Sequence, residues 1–287
     1  MPPRAALRIA IVAGVGPCPL AEDLAAGLAA RGHRVRLHYG DPGYGKVSRR
    51  VRADAPDAVS QHAANPAAFA AVEGLATLHT LHVAPTAPLL EACSRARAWF
   101  AAPSAFLARA WRDAGLERVQ VIPAGLPECA RLAAVVRPIA LVADRAGALA
   151  ALRAGLGITM PGSRDDAPRK LAHSAVCIVP QGTRGALDQS ARGALDRLAA
   201  QAQLAGCPVV GFADEPLAEI VEQGVSGLLV APGDEHGLAA AARRAAALDR
   251  HAVRESARRR LALEPMLERY ESELRAIARR SAVRLVA

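Results

Sequence analysis

No apolar stretch in this 287-residue chain reaches the roughly 18 residues that a membrane-spanning helix needs. Aromatic residues make up only 3% of a chain that is 52% hydrophobic, so its core has to be built mostly from Ala, Leu and Val. The five cysteines (Cys18, Cys93, Cys129, Cys177 and Cys207) are scattered, odd in number and without a C-x-x-C pair. That argues against a disulfide framework and a zinc site and points to a reducing cytoplasm. Lysine is nearly absent, Lys46 and Lys170 being the two present. The formal charge of +9 is therefore almost all arginine, with no aromatic interleaving for base stacking. Nucleic acid is not an expected partner. The stretch RHAVRESARRR, Arg250 to Arg260, would suit peripheral contact with an anionic membrane, but a solvated helix face explains it as simply.

A nicotinamide-cofactor fingerprint is missing too. The first glycine turn, Gly14-Val15-Gly16-Pro17, has Pro19 where a third glycine would stand, and no acidic residue closes a second strand to hold a ribose. The opening MPPRAALRIAIVAGVG has a basic end and an apolar run, like a secretory leader. The run is only about eight residues and ends in a glycine turn, so a first buried strand is the better reading.

What is present is alternation. LRIAIVAGVG, a helix over LAEDLAAGLAARG and the strand HRVRLHYG begin a series of short apolar runs and helical patterns. It continues through GLATLHTLHV, AWFAAPS and RVQVIPAG. A second series starts at RPIALVAD, with a helix over Ala146 to Gly155, then AVCIVP, a long helix through Arg184 to Ala205, CPVVGF and SGLLVAP. The end is helical. Such alternation predicts α/β architecture with parallel sheets covered on both faces. The expected division is residues 1–130, 131–265 and a final helix over 266–287. Gly40 to Pro56 reads as a polar loop with no clear element.

Several segments, in order, resemble the GT-B glycosyltransferases, specifically the retaining group called family four. LAAGLAARGHRVRLHYG is similar to that family's helix and RGHxV strand, DAVSQH (Asp57 to His62) to DVVxxH, and LHTLHVAP to HTLHxPP. APSAFLARAW resembles VSxxxARAW, VIPAGLP resembles VIPNGVP, and AEIVEQGVSGLLVAPGD resembles PEIVxxGxTGxLVPPGD. The resemblance implies two Rossmann-like doubly wound domains facing a cleft, the second holding a nucleotide-sugar donor and the first mainly the acceptor. It implies transfer of a hexose with retention of configuration, a UDP- or GDP-linked donor, no metal or other cofactor, and an acceptor that is a small molecule, a lipid or a cell-surface precursor.

Residue by residue, Gly14 and Gly16 would let backbone N–H groups approach a donor pyrophosphate or acceptor, or simply make a tight turn. His79 and His82 both fit the family's cleft histidine, the spacing to PSAFLARAW slightly favouring His82, with His62 a third candidate. Glu219 matches the carboxylate of a GGxPE turn, although placement at a helix N-terminus would also account for it. Gly224 and Gly227 read as turn glycines, and Asp234 as a cap for the helix beginning at Glu235.

The departures from the pattern concern the donor. Arg145 can stand for the arginine of GRxxxxKG, but no lysine follows and Ala143-Asp144 replaces the glycine turn. The family's two glutamates before AGxPVV fall on Gly193 and Gln201. Gln201 can still hydrogen-bond a ribose, whereas Gly193 offers nothing; Asp188 or Asp196 would have to shift to substitute. Ala124 stands in place of the asparagine of PNG. The stretch holding PGSRDDAPRK looks too short for the strand and helix pair usual there. Two expectations follow, an active retaining transferase with a rebuilt donor site or a catalytically inactive relative serving as a binding or partner protein.

Overall fold

The computed structural model describes residues 5–128, 132–161, 166–179 and 189–286. Two parallel sheets organise them. The first has the order β2-β1-β3-β4-β5-β6, from Arg34–Tyr39 (β2), Arg8–Ala13 (β1), Ala58–Gln61 (β3), Thr77–Thr80 (β4), Trp99–Ala102 (β5) and Val119–Val121 (β6). The second has the order β11-β10-β9-β7-β8, from Gly227–Val230 (β11), Val209–Phe212 (β10), Ser174–Val179 (β9), Arg137–Val142 (β7) and Gly157–Thr159 (β8). The chain divides into two compact units, Leu126–Ala262 and a unit made of everything up to Gly125 together with Leu263 onward.

In the first unit β1 shows why a nearly continuous apolar run makes a central strand. Ile9 and Ile11 face one helical layer, and Ala10 and Val12 face the other. The first layer holds α1 (Pro19–Ala30) and the final helix α12 (Leu263–Val286). Met266, Leu267, Tyr270, Leu274 and Ile277 form the buried stripe of α12. Burying them contributes on the order of 10 kcal/mol before entropy is charged against it. Gly27 lets α12 come close, since a Cβ there would collide with the Leu267 side chain. The opposite face carries α2 (Gly45–Ala53), α3 (Pro66–Ala71), α4 (Ala87–Arg95) and α5 (Ala105–Asp113). Helix α2 corrects the expected loop over Gly40 to Pro56: Val47 and Val51, one turn apart, are buried, and Asp41 Oδ2 accepts from Val47 N–H at 2.9 Å.

In the second unit α6 (Arg145–Arg153) and α10 (Glu235–Ala245) cover one face of the sheet. Helices α7 (Ala167–His173), α8 (Gln189–Leu204) and α9 (Glu215–Ile220) lie on the other. The short stretch before β9 keeps a strand and a helix after all, β8 and α7, of three and seven residues. Helix α11 (Arg250–Leu261) corrects the idea of a merely solvated basic face. Arg250 donates to the carbonyls of Ala172 and Ser174 at 2.8 Å, Arg254 and Arg258 bind Glu128 at 3.0 and 2.8 Å, and Arg260 donates to the Glu219 carbonyl at 2.6 Å. Among the described residues no helix is long and apolar enough to cross a membrane.

Candidate functional site

Ligands of open parallel sheets bind beyond the strand carboxyl ends, where the strand order reverses direction. In the first sheet that reversal lies between β1 and β3, and in the second between β7 and β9. The first is flanked by the Gly14 turn and His62, the second by Ala143 to Arg145. Residues 180–188, which follow β9 and include Asp188, lie outside the described residues.

The Gly14 turn is open. A Cβ built at Gly14 or at Gly16 would meet nothing within 4 Å, and Gly16 has φ +93°, which an L side chain rarely adopts. Gly14 O accepts from Gly40 N–H at 3.1 Å, and Val15 is 72% exposed. The helix that follows has part of its N-terminal positive potential answered from within: Glu22 Oε1 accepts from Cys18 N–H at 3.2 Å and from Tyr39 Oη at 2.9 Å. This turn can offer N–H groups to a hydroxyl-bearing ligand, but the Glu22 carboxylate opposes a second anion there.

The structure separates the two histidines of LHTLHV. His79 lies within β4, 2% exposed, its ring stacked at 4.2 Å on Phe69 and 5.7 Å from Phe100. Its Nδ1 pairs with Gln61 Oε1 at 3.0 Å, and burial pushes its pKa down to about 3. His79 is therefore a core residue, a correction to its expected place in a ligand site: two phenylalanines occupy the space around its ring. His82, two residues beyond the strand, is only partly buried.

His82 does not stand alone. Its Nε2 lies 3.1 Å from His62 Nδ1, with the rings stacked at 5.3 Å, and His62 Nε2 lies 2.9 Å from Ser60 Oγ. The His62 ring also lies 5.8 Å from that of Tyr270, whose hydroxyl bonds Thr80 Oγ1 at 3.0 Å. Burial lowers the pKa of His82 to about 4; burial, then the neighbouring His82 and His79, hold that of His62 well below its usual range. Both rings are neutral at pH 7, so the cluster offers directed hydrogen bonds and no net charge. Ser60, Gln61 and Tyr270 were not legible as members. The i, i+2 spacing of Ser60, on β3, and His62, just past its end, was a usable signal, but nothing local points to Tyr270.

In the second unit Arg145 is exposed as the first residue of α6. Asp144 before it has a local task, its Oδ1 accepting from Gly147 N–H at 2.8 Å as the N-cap of α6. Gln201 lies on α8 and is partly buried, and the Gly193 position falls on the same helix. Glu219 is not at a helix N-terminus. It is the penultimate residue of α9, which Asp214 caps through Leu217 N–H at 3.1 Å. Gly224, at φ +79°, is a turn glycine, but Gly227 begins β11, where a Cβ would collide with the Val209 carbonyl. Asp234 caps α10 as expected, accepting from Gly237 N–H at 2.8 Å. Asp196 lies on α8. Among the described residues no three His, Cys, Asp or Glu side chains are grouped so as to hold a metal ion.

Residues 116–247 match a family model described as Glycosyl transferases group 1. No curated protein sequence matches the chain. Among solved structures, AviGT4, a glycosyltransferase involved in avilamycin A biosynthesis, is 18% identical over 95% of this chain and 98% of its own, with a TM-score of 0.67. Alr3699/HepE of Anabaena, in complex with UDP and glucose, is 16% identical over 94% and 100%, with a TM-score of 0.66. A glycosyltransferase from Rickettsia africae is 14% identical over 96% and 99%, with a TM-score of 0.74. At such identities the likeness is one of fold: the two parallel-sheet α/β units have the fold of GT-B glycosyltransferases.

Proposed function

We propose that this chain is a glycosyltransferase that moves a hexose from a UDP- or GDP-linked donor to an acceptor hydroxyl with retention of configuration. The observation that carries the reading is the match of residues 116–247 to a glycosyltransferase model, since it covers most of the unit expected to hold the donor. The complex of HepE with UDP and glucose supports a nucleotide-sugar donor. In the reaction the bond from the sugar's anomeric carbon to the diphosphate oxygen breaks and one to the acceptor oxygen forms. The acceptor proton ends on the released nucleoside diphosphate.

The residues divide the work between the two units. Arg145 offsets diphosphate charge as the leaving group departs, Gln201 holds the ribose hydroxyls, and the loop at Glu219 lines the sugar. In the first unit His82 offers a hydrogen bond to a sugar hydroxyl, and the open Gly14–Gly16 turn gives its N–H groups to the acceptor. The acceptor is a small molecule, a lipid or a cell-surface precursor, and the place of action the cytoplasm, with peripheral membrane contact where the acceptor is a lipid. No metal is required for this scheme.

A second reading, an inactive relative that binds a partner, is favoured by one specific observation: Gly193 and the missing lysine after Arg145 remove groups expected at the donor. Losing one contact to developing charge costs about 3 to 4 kcal/mol of barrier, so two losses without compensation would abolish useful rates. The deciding experiment is to incubate the protein with UDP-glucose or GDP-mannose and follow release of UDP or GDP. Release above the rate given by an Arg145→Ala variant supports the enzyme; equal rates favour the inactive relative.

A further inference from the structure

The Ser60, His62 and His82 chain has a direction. Ser60 is fully buried, and among the described residues its hydroxyl has one hydrogen-bond partner, His62 Nε2. Each neutral ring carries one proton, so two arrangements satisfy both links. In one, Ser60 donates to His62 Nε2, His62 Nδ1–H donates to His82 Nε2, and His82 is left with its proton on Nδ1. In the other every bond reverses, and the Ser60 hydroxyl proton has no acceptor. An unsatisfied buried donor loses its hydration with nothing in return, so the first arrangement wins.

The geometry points to Ser60 and His62 as positioning residues that fix His82 in its Nδ1–H tautomer, making it a hydrogen-bond donor to a bound ligand oxygen and not a base. His82 Nδ1 makes no hydrogen bond among the described residues, and His82 is the partly exposed end of the chain. An isolated neutral imidazole prefers the opposite tautomer, so the preference has to be imposed by the chain behind it. The group recognised by such a donor is an acceptor oxygen, such as a sugar hydroxyl. This last step rests on the glycosyltransferase reading; the tautomer does not.

The test uses the whole protein with 15N-labelled histidine and long-range 1H–15N correlation spectra at neutral pH, His82 being assigned by loss of its signals in His82→Gln. The expected spectrum has His82 protonated at Nδ1 and bare at Nε2. Ser60→Ala moves it toward a mixture with Nε2–H, and Ser60→Thr, which keeps the hydroxyl, restores the wild-type pattern. A wild-type His82 protonated at Nε2 overturns the proposal, and that spectrum decides even if the variants do not fold. A pattern indifferent to Ser60→Ala overturns it as well. With UDP-glucose as probe, Ser60→Ala weakens binding roughly tenfold, the loss of one hydrogen bond, and Ser60→Thr recovers it. A changed tautomer with unchanged affinity removes His82 from ligand binding. Absence of UDP-glucose binding in the wild type counts against the glycosyltransferase reading and leaves the tautomer result standing.

Discussion

The hydroxyls of Thr80 and Tyr270 meet at 3.0 Å across 190 residues of sequence, 3% and 1% exposed. This contact fastens the last helix to the end of β4, two residues before His82. Tyr270→Phe keeps the packing and leaves Thr80 without its partner, at a cost of about 1 kcal/mol. Tyr270→Ala also opens a cavity under α12 and costs about 3 to 5 kcal/mol. Chemical denaturation of the two variants checks the order; equal losses would mean that packing contributes nothing beyond the hydrogen bond.

Gly14 and Gly16 separate fold from ligand. Gly16→Ala forces a side chain into a left-handed conformation and destabilises by about 1 to 3 kcal/mol. Gly14→Ala fills empty space, so the melting temperature stays within a degree or two of wild type while the apparent KM for the acceptor rises. A strongly destabilised Gly14→Ala would show that the turn is closed.

Asp144 caps α6 beside Arg145, and its two properties come apart by substitution. Asp144→Ala loses the cap and about 1 kcal/mol of stability. Asp144→Asn keeps an oxygen for Gly147 N–H and removes a negative charge. If diphosphate binds at this helix, the asparagine variant binds nucleotide diphosphates about twofold to fivefold more tightly at low salt. Calorimetry of both variants reads this, and unchanged affinity in Asp144→Asn takes diphosphate away from α6.

Acid should destabilise the first unit in two stages. His79 and His82 have pKa values pushed by burial to about 3 and about 4, while the unfolded chain titrates near 6.5. The unfolded state therefore binds more protons below that pH, and stability present above it is lost as pH falls toward 4 and then 3. Burial raises the Glu271 carboxyl, but hydrogen bonds from Arg31, Arg275 and His33 outweigh this and hold it at about 2. Its contribution is present above the ordinary carboxylate value and is lost as pH falls from about 4.5 to about 2. Urea midpoints from pH 8 to pH 3 should decline steadily below pH 6.5. A midpoint flat down to pH 5 would contradict neutral buried histidines.

The sheets were legible because buried parallel strands are short apolar runs whatever lies around them. Helix α2 was not, since two valines among charged residues make a faint stripe, and its buried face depends on strands folded elsewhere. At the site, LHTLHV offered two candidate histidines without showing which one is available. Only the placement of Phe69 and Phe100 around His79 decides that His82 is the available ring. Asp144 showed in the sequence only as a departure from a glycine turn, because a cap is defined by the helix it begins. Tyr270 belongs to the cluster through tertiary packing alone.

The central claim is that the second unit binds a nucleotide-sugar donor despite Gly193 and the missing lysine. Calorimetric titration of the purified protein with UDP, GDP, ADP and their hexose conjugates tests it most directly. The account predicts micromolar binding of UDP or GDP and of its hexose conjugate, weakened by Arg145→Ala. Absence of binding by every nucleotide in the set would contradict it and leave a glycosyltransferase fold without donor chemistry.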